Sequence, residues 1–529
     1  MEGLLGGSPL LLRALSPLAF ESPVTRGRVQ LVWFKRDLRV DDHAPLSKAA
    51  ERGPVLPLYV IEPEYWQLDD SSERQQDFVA ECVHDLDRAL EALGLQLSIE
   101  LGSVVECLVK LHRDLGIAAI HAHEETGNDW TFQRDRAVRA WCREQGIELI
   151  EYPQFGVQRG LRDRDGWAGQ WEGYMGEPAC DPPPTAQAAR PSQAIDRPDF
   201  AAVPCKHTLA CPGRQSGGWR AGEQVLTSFL SERGVAYRGG ISSPLSAETA
   251  GSRLSPHIAH GSLSLRRIVH RTRDRRRHAR EAGDSRLARS LNQFDQRLHW
   301  HCHFIQKLEQ RPDIEFVNVH PGFDGMREDD FDEARFQAWA EGRTGYPMVD
   351  ACMRYLTHCG WLNFRMRAML MSFAAYHLWL HWRQPALHLA RLFTDYEPGI
   401  HYNQCQMQSG TTGINTPRMY NPIKQAQDHD PNAEFVQRWV PELAGLEPLA
   451  CFEPWLLGLS ERSTRGSADY PEPIVDYRRA VSGARTRLGE YRHRPGFREQ
   501  SGRVQQQLGS RRGTRKTRKT ADRRQQRLF

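Results

Sequence analysis

Closely spaced cysteine pairs are missing from this 529-residue chain. Its 11 cysteines are scattered, and no two of them form a C-x-x-C pair. This pattern argues against a disulfide scaffold and against a cysteine-rich zinc or iron–sulfur site. It favours a reducing compartment, and we therefore expect a cytoplasmic protein.

Long apolar runs are missing as well. No stretch of about eighteen uncharged apolar residues occurs, so we expect no membrane span. No G-x-G-x-x-G follows the first apolar run, which excludes the usual phosphate fingerprint of NAD-type domains. Residues 1–28 lack a basic region ahead of their apolar stretch, and we interpret them as a disordered leader rather than a signal peptide.

Excess charge is confined to one end of the chain. The net charge is +4, but residues 501–529 hold ten Lys and Arg and a single acid, Asp522. The preceding residues are therefore mildly acidic as a whole. The basic tail is typical either of a solvated, disordered end or of a segment that attracts phosphate without sequence choice.

Short apolar runs alternate with helical patterns in the first third of the chain. The runs lie at 29–34, 54–63, 95–101, 117–123 and 147–152. Such alternation predicts βαβ units, and hence an α/β domain with a five-stranded, Rossmann-like parallel sheet. A fold of this kind does not identify a function.

Helical periodicity replaces the strand signals from about residue 220, and one of the predicted helices covers 246–259. Before it, residues 176–218 are rich in Pro and Gly, which is typical of a long connection. We predict a large all-α second domain and the following organisation: a leader at 1–28, the α/β domain at 29–165, a linker at 166–220, the helical domain at 221–455, and a basic, disordered extension at 456–529.

Two segments of the helical domain carry chemistry. Ser252 and Ser255 flank Arg253 at a helix start, where free backbone N–H groups and hydroxyls suit a diphosphate. Farther on, Arg365 and Arg367 lie in an otherwise apolar helix and need acidic partners. Asp395 and Glu397, in the segment TDYEPGIHYN, supply them. The pairs are either purely structural or lie against a flavin ring and tune its redox state.

Four long segments resemble the photolyase/cryptochrome family. They are LVWFKRDLRVDDHAPL at 31–46, GSRLSPHIAHGSLSLRRI at 251–268, WAEGRTGYPMVDACMRYLTHCGWLNFRMRAMLMSF at 339–373 and YNPIKQAQDHDPNAEFVQRWVPEL at 420–443. The resemblance runs from about residue 29 to 455. It implies FAD bound in the helical domain and, in many members, an antenna chromophore of folate or deazaflavin type in the α/β domain.

The resemblance also implies roles for individual residues. Arg367 and Asp395 correspond to a salt bridge beside the flavin ring, and His401 to a residue that faces the flavin N5, so these three are the expected catalytic residues. Trp300 corresponds to an aromatic that packs on a flipped pyrimidine dimer. The expected FAD-binding residues are Tyr237, Gly251, Ser252, Arg253, Leu254, Ser255, Arg367, Asp395, Tyr396 and Glu397. The expected DNA-binding residues are Arg297, Trp300, Phe364, Arg365 and Met407.

Several positions depart from the family pattern. Arg297 stands where cyclobutane-dimer photolyases use Glu, Met407 where they stack a second Trp, and Gly251 where they usually have Thr. The tryptophan relay that reduces the flavin is broken, because Cys405 and Asp329 replace two of its members. Trp382 keeps the middle position and is the expected electron-transfer residue. Trp379 and Tyr402 remain alternatives for the missing members.

His299 and His303 share a helix face at a spacing that could hold a metal, but no third ligand is evident, so we predict no metal site.

The leading interpretation is a monomeric, FAD-dependent enzyme that repairs pyrimidine dimers in UV-damaged DNA, single- or double-stranded, with blue light. The alternative is a cryptochrome-type photoreceptor without repair activity, which would need a signalling partner. We expect no contact with membranes.

Overall fold

The computed structural model describes residues 29–161, 164–189 and 198–509. The predicted leader and most of the basic tail, from residue 510 onward, lie outside these ranges. Strands β1–β5 of the first domain are Val29–Phe34, Val55–Ile61, Ser98–Leu101, Ile117–His123 and Glu148–Tyr152. Its helices α1–α5 are Ala44–Arg52, Pro63–Trp66, Glu73–Glu91, Val104–Leu115 and Asp129–Gln145.

All five strands are parallel, in the order β3-β2-β1-β4-β5. The central strand β1 is buried along its whole length, because helices cover both faces of the sheet. This confirms the predicted Rossmann-like domain. The carboxyl end of β1 leads into the segment KRDLRVDD, which therefore emerges at the edge where α/β folds place their functional loops.

The rest of the described chain is helical, as predicted. Helices α6–α11 are Trp167–Gly176, Trp219–Ser231, Tyr237–Gly240, Pro244–Ala250, Ser255–Ala259 and Leu265–Glu281. Helices α12–α17 are Ser285–Gln310, Glu333–Ala340, Pro347–Cys359, Phe364–Ser372, Arg383–Leu392 and Pro398–Ser409, with a π-helical turn at Phe373–His377. Helices α18–α23 are Pro422–His429, Glu434–Trp439, Pro448–Phe452, Leu459–Thr464, Tyr477–Arg492 and Phe497–Leu508. Short 3-10 turns lie at Phe200–Ala202, Arg233–Ala236, Pro312–Glu315, Pro321–Phe323, Pro441–Leu443 and Pro454–Leu456. Within the described ranges, no helix is long and apolar enough to cross a bilayer.

The segment after β1 joins the two domains. Asp42 is paired with Arg266 and also accepts a hydrogen bond from Ser264, both at the start of α11. Arg39 donates to the carbonyl of Gly261 at 3.1 Å. A Cβ atom on Gly261 would meet the Arg36 carbonyl, so this close approach of the two backbones requires glycine.

Asp37 anchors the same segment from within the α/β domain. Its Oδ2 accepts hydrogen bonds from His43 at 2.9 Å and from His123 at 2.7 Å, and all three side chains are buried. Burial lowers the pKa of both imidazoles, so they are neutral donors to an ionised carboxylate. These direct N–O contacts identify a hydrogen-bonded triad rather than three ligands around an ion.

Two regions differ from the sequence-based expectation. The predicted linker contains α6, which buries Trp167, Trp171 and Met175 in the core of the helical domain. The predicted helix at 246–259 is interrupted, with α9 ending at Ala250 and α10 starting at Ser255. The periodicity of the apolar residues continues across the interruption, and for that reason the sequence did not reveal it.

The C-terminal segment also differs, because residues 459–508 form helices where disorder was predicted. Phe497 of α23 stacks on His320 with a ring separation of 4.0 Å and contacts Phe323 at 5.1 Å. Val504 and Leu508 of the same helix pack with Leu308. The helices are rich in Arg and Gln and have few apolar residues, but Ala484 and Leu488 of α22 are buried in the same way.

Candidate functional site

An ion pair with one buried and one partly exposed member joins α15 to the segment between α16 and α17. Arg367 Nη2 of α15 donates to Asp395 Oδ2 at 2.7 Å, and the Asp395 side chain is 3% exposed. The guanidinium carbon of Arg367 lies 3.9 Å from the centre of the Phe393 ring, and Nε donates to the Leu362 carbonyl. The pair is therefore held in one geometry by an apolar wall and a backbone acceptor.

A second pair, between Arg36 and Glu397, crosses the domain boundary. Arg36 Nη2 donates to Glu397 Oε2 at 3.0 Å, and the guanidinium also donates to the carbonyls of Ala259 and Tyr396. Burial raises the pKa of the Glu397 carboxyl, and Arg36 opposes this shift. The α/β domain thus supplies a cation to the segment that carries Asp395.

The turn between α9 and α10 forms an anion-binding geometry. Arg253 adopts a left-handed conformation (φ 61°) and Leu254 a right-handed one (φ −89°). Successive residues of opposite hand point their N–H groups into one concavity, which favours phosphate. Within the described chain, the backbone N–H groups from Ser252 to Ser255 have no hydrogen-bond acceptor.

The side chains around this turn fix its shape. Arg253 lies 3.9 Å from the centre of the Trp361 ring and exchanges hydrogen bonds with Gln215. A Cβ atom on Gly251 would come within 2.6 Å of the Ala247 carbonyl, so this backbone path has no room for the Thr usual in photolyases. Tyr237, at the start of α8, is buried and packs against aromatic rings of α7 and α12.

His401 of α17 lies one turn after Glu397. Its Nε2 donates to the Ala386 carbonyl at 2.8 Å, and its ring contacts Phe393, Tyr396 and Tyr402 edge-on. Burial lowers the pKa of His401 to about 4, so the imidazole is neutral at physiological pH. The helix approaches α12 closely, since a Cβ on Gly399 would lie 2.7 Å from Ile305 Cα.

The predicted DNA-facing residues lie mainly on α12 and α15. Arg297 lies 5.7 Å from the ring of Phe364, whose side chain is exposed. Trp300 follows one turn later on α12 and contacts Phe304 and His303. Arg365 is half-buried on α15, and Met407 is half-buried on α17. The structure therefore brings Arg297 and Phe364 together, whereas Met407 lies on a different helix.

Trp382, the expected electron-transfer residue, is fully buried. Its indole N–H donates to Asn318, and its ring centre lies 6.4 Å from that of Tyr402. Cys405 is buried one turn after Tyr402, and burial raises the pKa of its thiol. The two candidate metal histidines both contact the Trp167 ring; His299 also packs on Trp171, and His303 hydrogen-bonds Arg164.

Several buried polar atoms around the two ion pairs and the turn have no hydrogen-bond partner within the described residues. They are Arg253 Nη1, Asn363 Oδ1, Arg365 Nε, Asp395 Oδ1 and Glu397 Oε1. Unpaired buried polar atoms are rare in folded proteins. FAD offers a diphosphate for the cationic donors and ring N–H groups for the carboxylate and amide oxygens, so the residues present fit this cofactor.

Two charged residues of this region were missed by sequence reasoning. Arg36 lies in a segment that was recognised but not assigned a role. Asp70 lies in the loop before α3 and accepts hydrogen bonds from Tyr396 at 2.6 Å and Tyr402 at 3.2 Å. A general signal existed for Arg36, which is a cation almost directly after a buried strand, but an acid in a polar loop such as Asp70 gives none.

Comparison with known proteins agrees with this geometry. Residues 294–490 match the FAD binding domain of DNA photolyase, and residues 30–154 match the DNA photolyase domain. The chain is 31% identical over 464 residues to a deoxyribodipyrimidine photo-lyase of Streptomyces griseus, covering 85% of this chain and 96% of the relative. It is 29% identical over 481 residues to a cryptochrome DASH of Gloeobacter violaceus, covering 84% and 93%.

Solved structures share the fold. A class III photolyase from Agrobacterium tumefaciens superimposes with a TM-score of 0.76 at 24% identity, covering 90% of this chain and 100% of that one. An archaeal photolyase from Sulfolobus tokodaii, solved with two FAD molecules, gives 0.71 at 25% identity and covers 87% and 100%. Sequence, fold and site agree that this chain is a member of the photolyase/cryptochrome family, with that family's FAD-binding domain.

Proposed function

We propose that this protein repairs pyrimidine dimers in DNA with blue light and reduced FAD. The observation that carries the proposal is a groove beside α12 in which arginines of α8, α11 and α12 lack ion pairs among the described residues, with Trp300 farther along the same side of α12. This face continues to the candidate FAD site. A photoreceptor needs the FAD site, but it has no need of a basic groove that leads to it.

The groove has a volume of about 560 Å³ and runs along the first half of α12. Its lining includes Arg238, Arg280, Arg289, Asn292, Gln293 and Gln296. The three arginine side chains have no ion pair or hydrogen bond among the described residues. Elsewhere on α11, Arg266, Arg271 and Arg273 are all neutralised by acids. The groove therefore concentrates positive charge, which suits a DNA backbone.

Residues at the end of the groove suit an unstacked base. Spacings of three and four residues place Arg289, Gln293, Gln296 and Trp300 on one side of α12. The half-buried indole offers a flat apolar face on which a flipped base can stack. Arg297, beside Phe364, offers a cation where a dimer would enter.

Bound FAD would supply the light absorption and the one-electron chemistry. The turn from Ser252 to Ser255 would hold its diphosphate, and Arg367 with Asp395 would bind along its ring. The Phe393 ring beside this pair lowers the local dielectric and would strengthen the electrostatic field of the pair. Neutral His401, tied to the Ala386 carbonyl, presents an imidazole that does not add charge to the site.

We expect the basic groove to set the salt dependence of DNA binding. Replacing Arg238, Arg280 and Arg289 together with Gln should lower the slope of log affinity against log salt by about 0.9 for each phosphate that the variant no longer neutralises. Fluorescence anisotropy with a dimer-containing duplex at several salt concentrations measures this slope. Arg277→Gln is the matched control, since Arg277 is paired with Asp274 on α11. An unchanged slope in the triple variant would place DNA elsewhere.

Repair itself is the decisive test. We expect the chemically reduced protein to restore a cyclobutane-dimer oligonucleotide in light and not in darkness. Because Trp300→Ala removes the stacking surface, it should lower this repair by at least about tenfold. The products are separated by chromatography, and Trp219→Ala, an exposed Trp on α7, is the control.

No repair of cyclobutane or (6-4) dimers, with FAD bound and reduced, would contradict the proposal and favour the cryptochrome-type photoreceptor. One observation suits that second function. The C-terminal helix α23 packs on residues 320–323, and His320 N–H donates to the Thr411 carbonyl just after α17. The C-terminal segment is thus connected, through His320, to the end of the helix that carries His401.

An antenna chromophore of folate or deazaflavin type remains part of the proposal. A cavity of about 60 Å³ lies between Trp33, Tyr65 and Arg134 of the α/β domain and Tyr396 of the helical domain. That volume corresponds to about two water molecules, so an antenna would bind here only after side chains move. Burial raises the pKa of Glu62 in this cavity to about 7, and Arg134 opposes the shift.

A further inference from the structure

Two buried tyrosines share one carboxylate at the domain boundary. Tyr396 and Tyr402 both donate their hydroxyls to Asp70 Oδ2, at 2.6 and 3.2 Å. Asn128 donates to the same carboxylate at 3.1 Å. With three donors directed at it, Asp70 acts as an acceptor, and it comes from the other domain, more than three hundred residues earlier in the chain.

The tyrosines lie between the candidate FAD site and Trp382. The His401 ring lies 5.3 Å from Tyr396 and 5.5 Å from Tyr402. Tyr402 alone continues the series, with its ring centre 6.4 Å from Trp382. Trp382 in turn lies 5.5 Å from His381, which is partly exposed. A connected set of rings therefore runs from the site toward the surface, although Cys405 interrupts the usual tryptophan series.

From these contacts we propose that Tyr402 is the residue that supplies an electron to photoexcited, oxidised FAD, and that Asp70 accepts the phenolic proton. The inference rests on the proposed binding of FAD. In the step, Tyr402 loses one electron to the flavin, its O–H bond breaks, and the proton moves along the hydrogen bond to Asp70. A neutral tyrosyl radical and a neutral carboxylic acid result. An external thiol then returns one electron and Asp70 returns the proton.

Burial is the physical reason for coupling the electron to a proton. An oxidised phenol that kept its proton would be a cation in a desolvated interior, which is costly. Transfer of the phenolic proton to Asp70 neutralises both the oxidised phenol and the carboxylate. Burial also raises the pKa of both tyrosines, with Asp70 adding to the shift, so neither is a phenolate beforehand. Glu315 faces the same carboxylate, and its pKa is raised to about 7 by burial and by Asp70.

Trp379, the other substitute that the sequence suggests, is less suited. Its ring lies 4.4 Å from the guanidinium of Arg327 and 4.0 Å from that of Arg487. Two cations at that distance oppose the removal of an electron. Its other neighbours belong to the cluster around Phe497, on the side of the C-terminal helices.

The experiment is illumination of the oxidised holoprotein without DNA, with the radical trapped by freezing and identified by electron paramagnetic resonance. Ring-deuterated tyrosine distinguishes tyrosyl from tryptophan radicals. We expect a tyrosyl signal in the wild type, and in Tyr402→Phe the loss of this signal and an at least about tenfold slower flavin bleaching with thiol present. Asn128→Ser is the matched control, because it also removes a donor to Asp70 while both tyrosines and the ring contact between Tyr402 and Trp382 stay in place, so the tyrosyl signal should persist.

Asp70→Asn tests the proton acceptor separately. We expect it to slow radical formation and to abolish the solvent deuterium isotope effect seen in the wild type. If the hydrogen bonds to Asp70 only hold the two domains together, these substitutions would lower stability but would not change the identity of the radical. A tyrosyl signal that survives in Tyr402→Phe, or a wild type that shows only tryptophan radicals, would overturn the assignment. FAD content is measured first, so that absence of flavin, which would contradict the proposed function, is distinguished from a wrong donor.

Discussion

Replacing Arg367 with Leu should cost about 3–5 kcal/mol of unfolding free energy and most of the bound FAD. The partner carboxylate of Asp395 is 3% exposed and would be left without its cation in a desolvated place. The Leu362 carbonyl would lose its donor as well, and the Phe393 ring would lose the guanidinium that covers it. Urea unfolding and the flavin absorbance of the purified protein measure the two effects.

Two further variants separate the causes of this loss. Arg335→Leu removes an exposed partner of Asp332 and should cost no more than about 1 kcal/mol. The double variant Arg367→Leu with Asp395→Leu removes the orphaned charge and should recover part of the stability but none of the FAD. Full FAD occupancy in the double variant would show that the pair only supports the fold.

Arg36→Met should produce a loss of similar size, about 3–5 kcal/mol, with a distinct pH dependence. The substitution leaves Glu397 without its cation and leaves the carbonyls of Ala259 and Tyr396 without a donor. Because Arg36 opposes the burial that raises the pKa of Glu397, its removal raises this pKa further. The carboxyl then becomes protonated at a higher pH in the folded state than in the unfolded chain.

The sign of the pH effect follows from this raised pKa. Stability of the variant should be highest below the unfolded pKa of Glu397 and should fall as pH rises toward the folded one. The loss relative to wild type is therefore smaller at about pH 5 than at about pH 8 when both are measured by urea unfolding. Arg52→Met, whose partner Glu148 is exposed, is the control and should lose no more than about 1 kcal/mol. A deficit that grows at acidic pH would contradict the role given to Glu397.

Local patterns predicted the elements that depend on local chemistry. Alternation of apolar runs and helices predicted the sheet, and the need of Arg367 for an acidic partner pointed to Asp395. The Ser-rich segment around Arg253 predicted a helix start with free N–H groups, although not the interruption between α9 and α10. In each case the physical cause lies within a few residues, or in a charge that has to be paired.

Other features depend on contacts that no local pattern records. Asp70 reaches Tyr402 across 332 positions of the chain, and nothing around it in the loop differs from an ordinary surface acid. The helices α22 and α23 have the Arg- and Gln-rich composition of disordered segments. Only the docking of Leu488 and Phe497 onto the helical domain explains why they fold.

The pair between Arg36 and Glu397 has a consequence for the order in which the protein matures. Its members are 361 positions apart, so the α/β domain leaves the ribosome long before Glu397 is made. Until then Arg36 has no carboxylate partner and stays hydrated at the end of β1. Contacts of such large sequence separation form late. We therefore expect the pocket to become competent to take up FAD only after Glu397 has been made and paired, so that loading of the cofactor follows folding rather than guiding it.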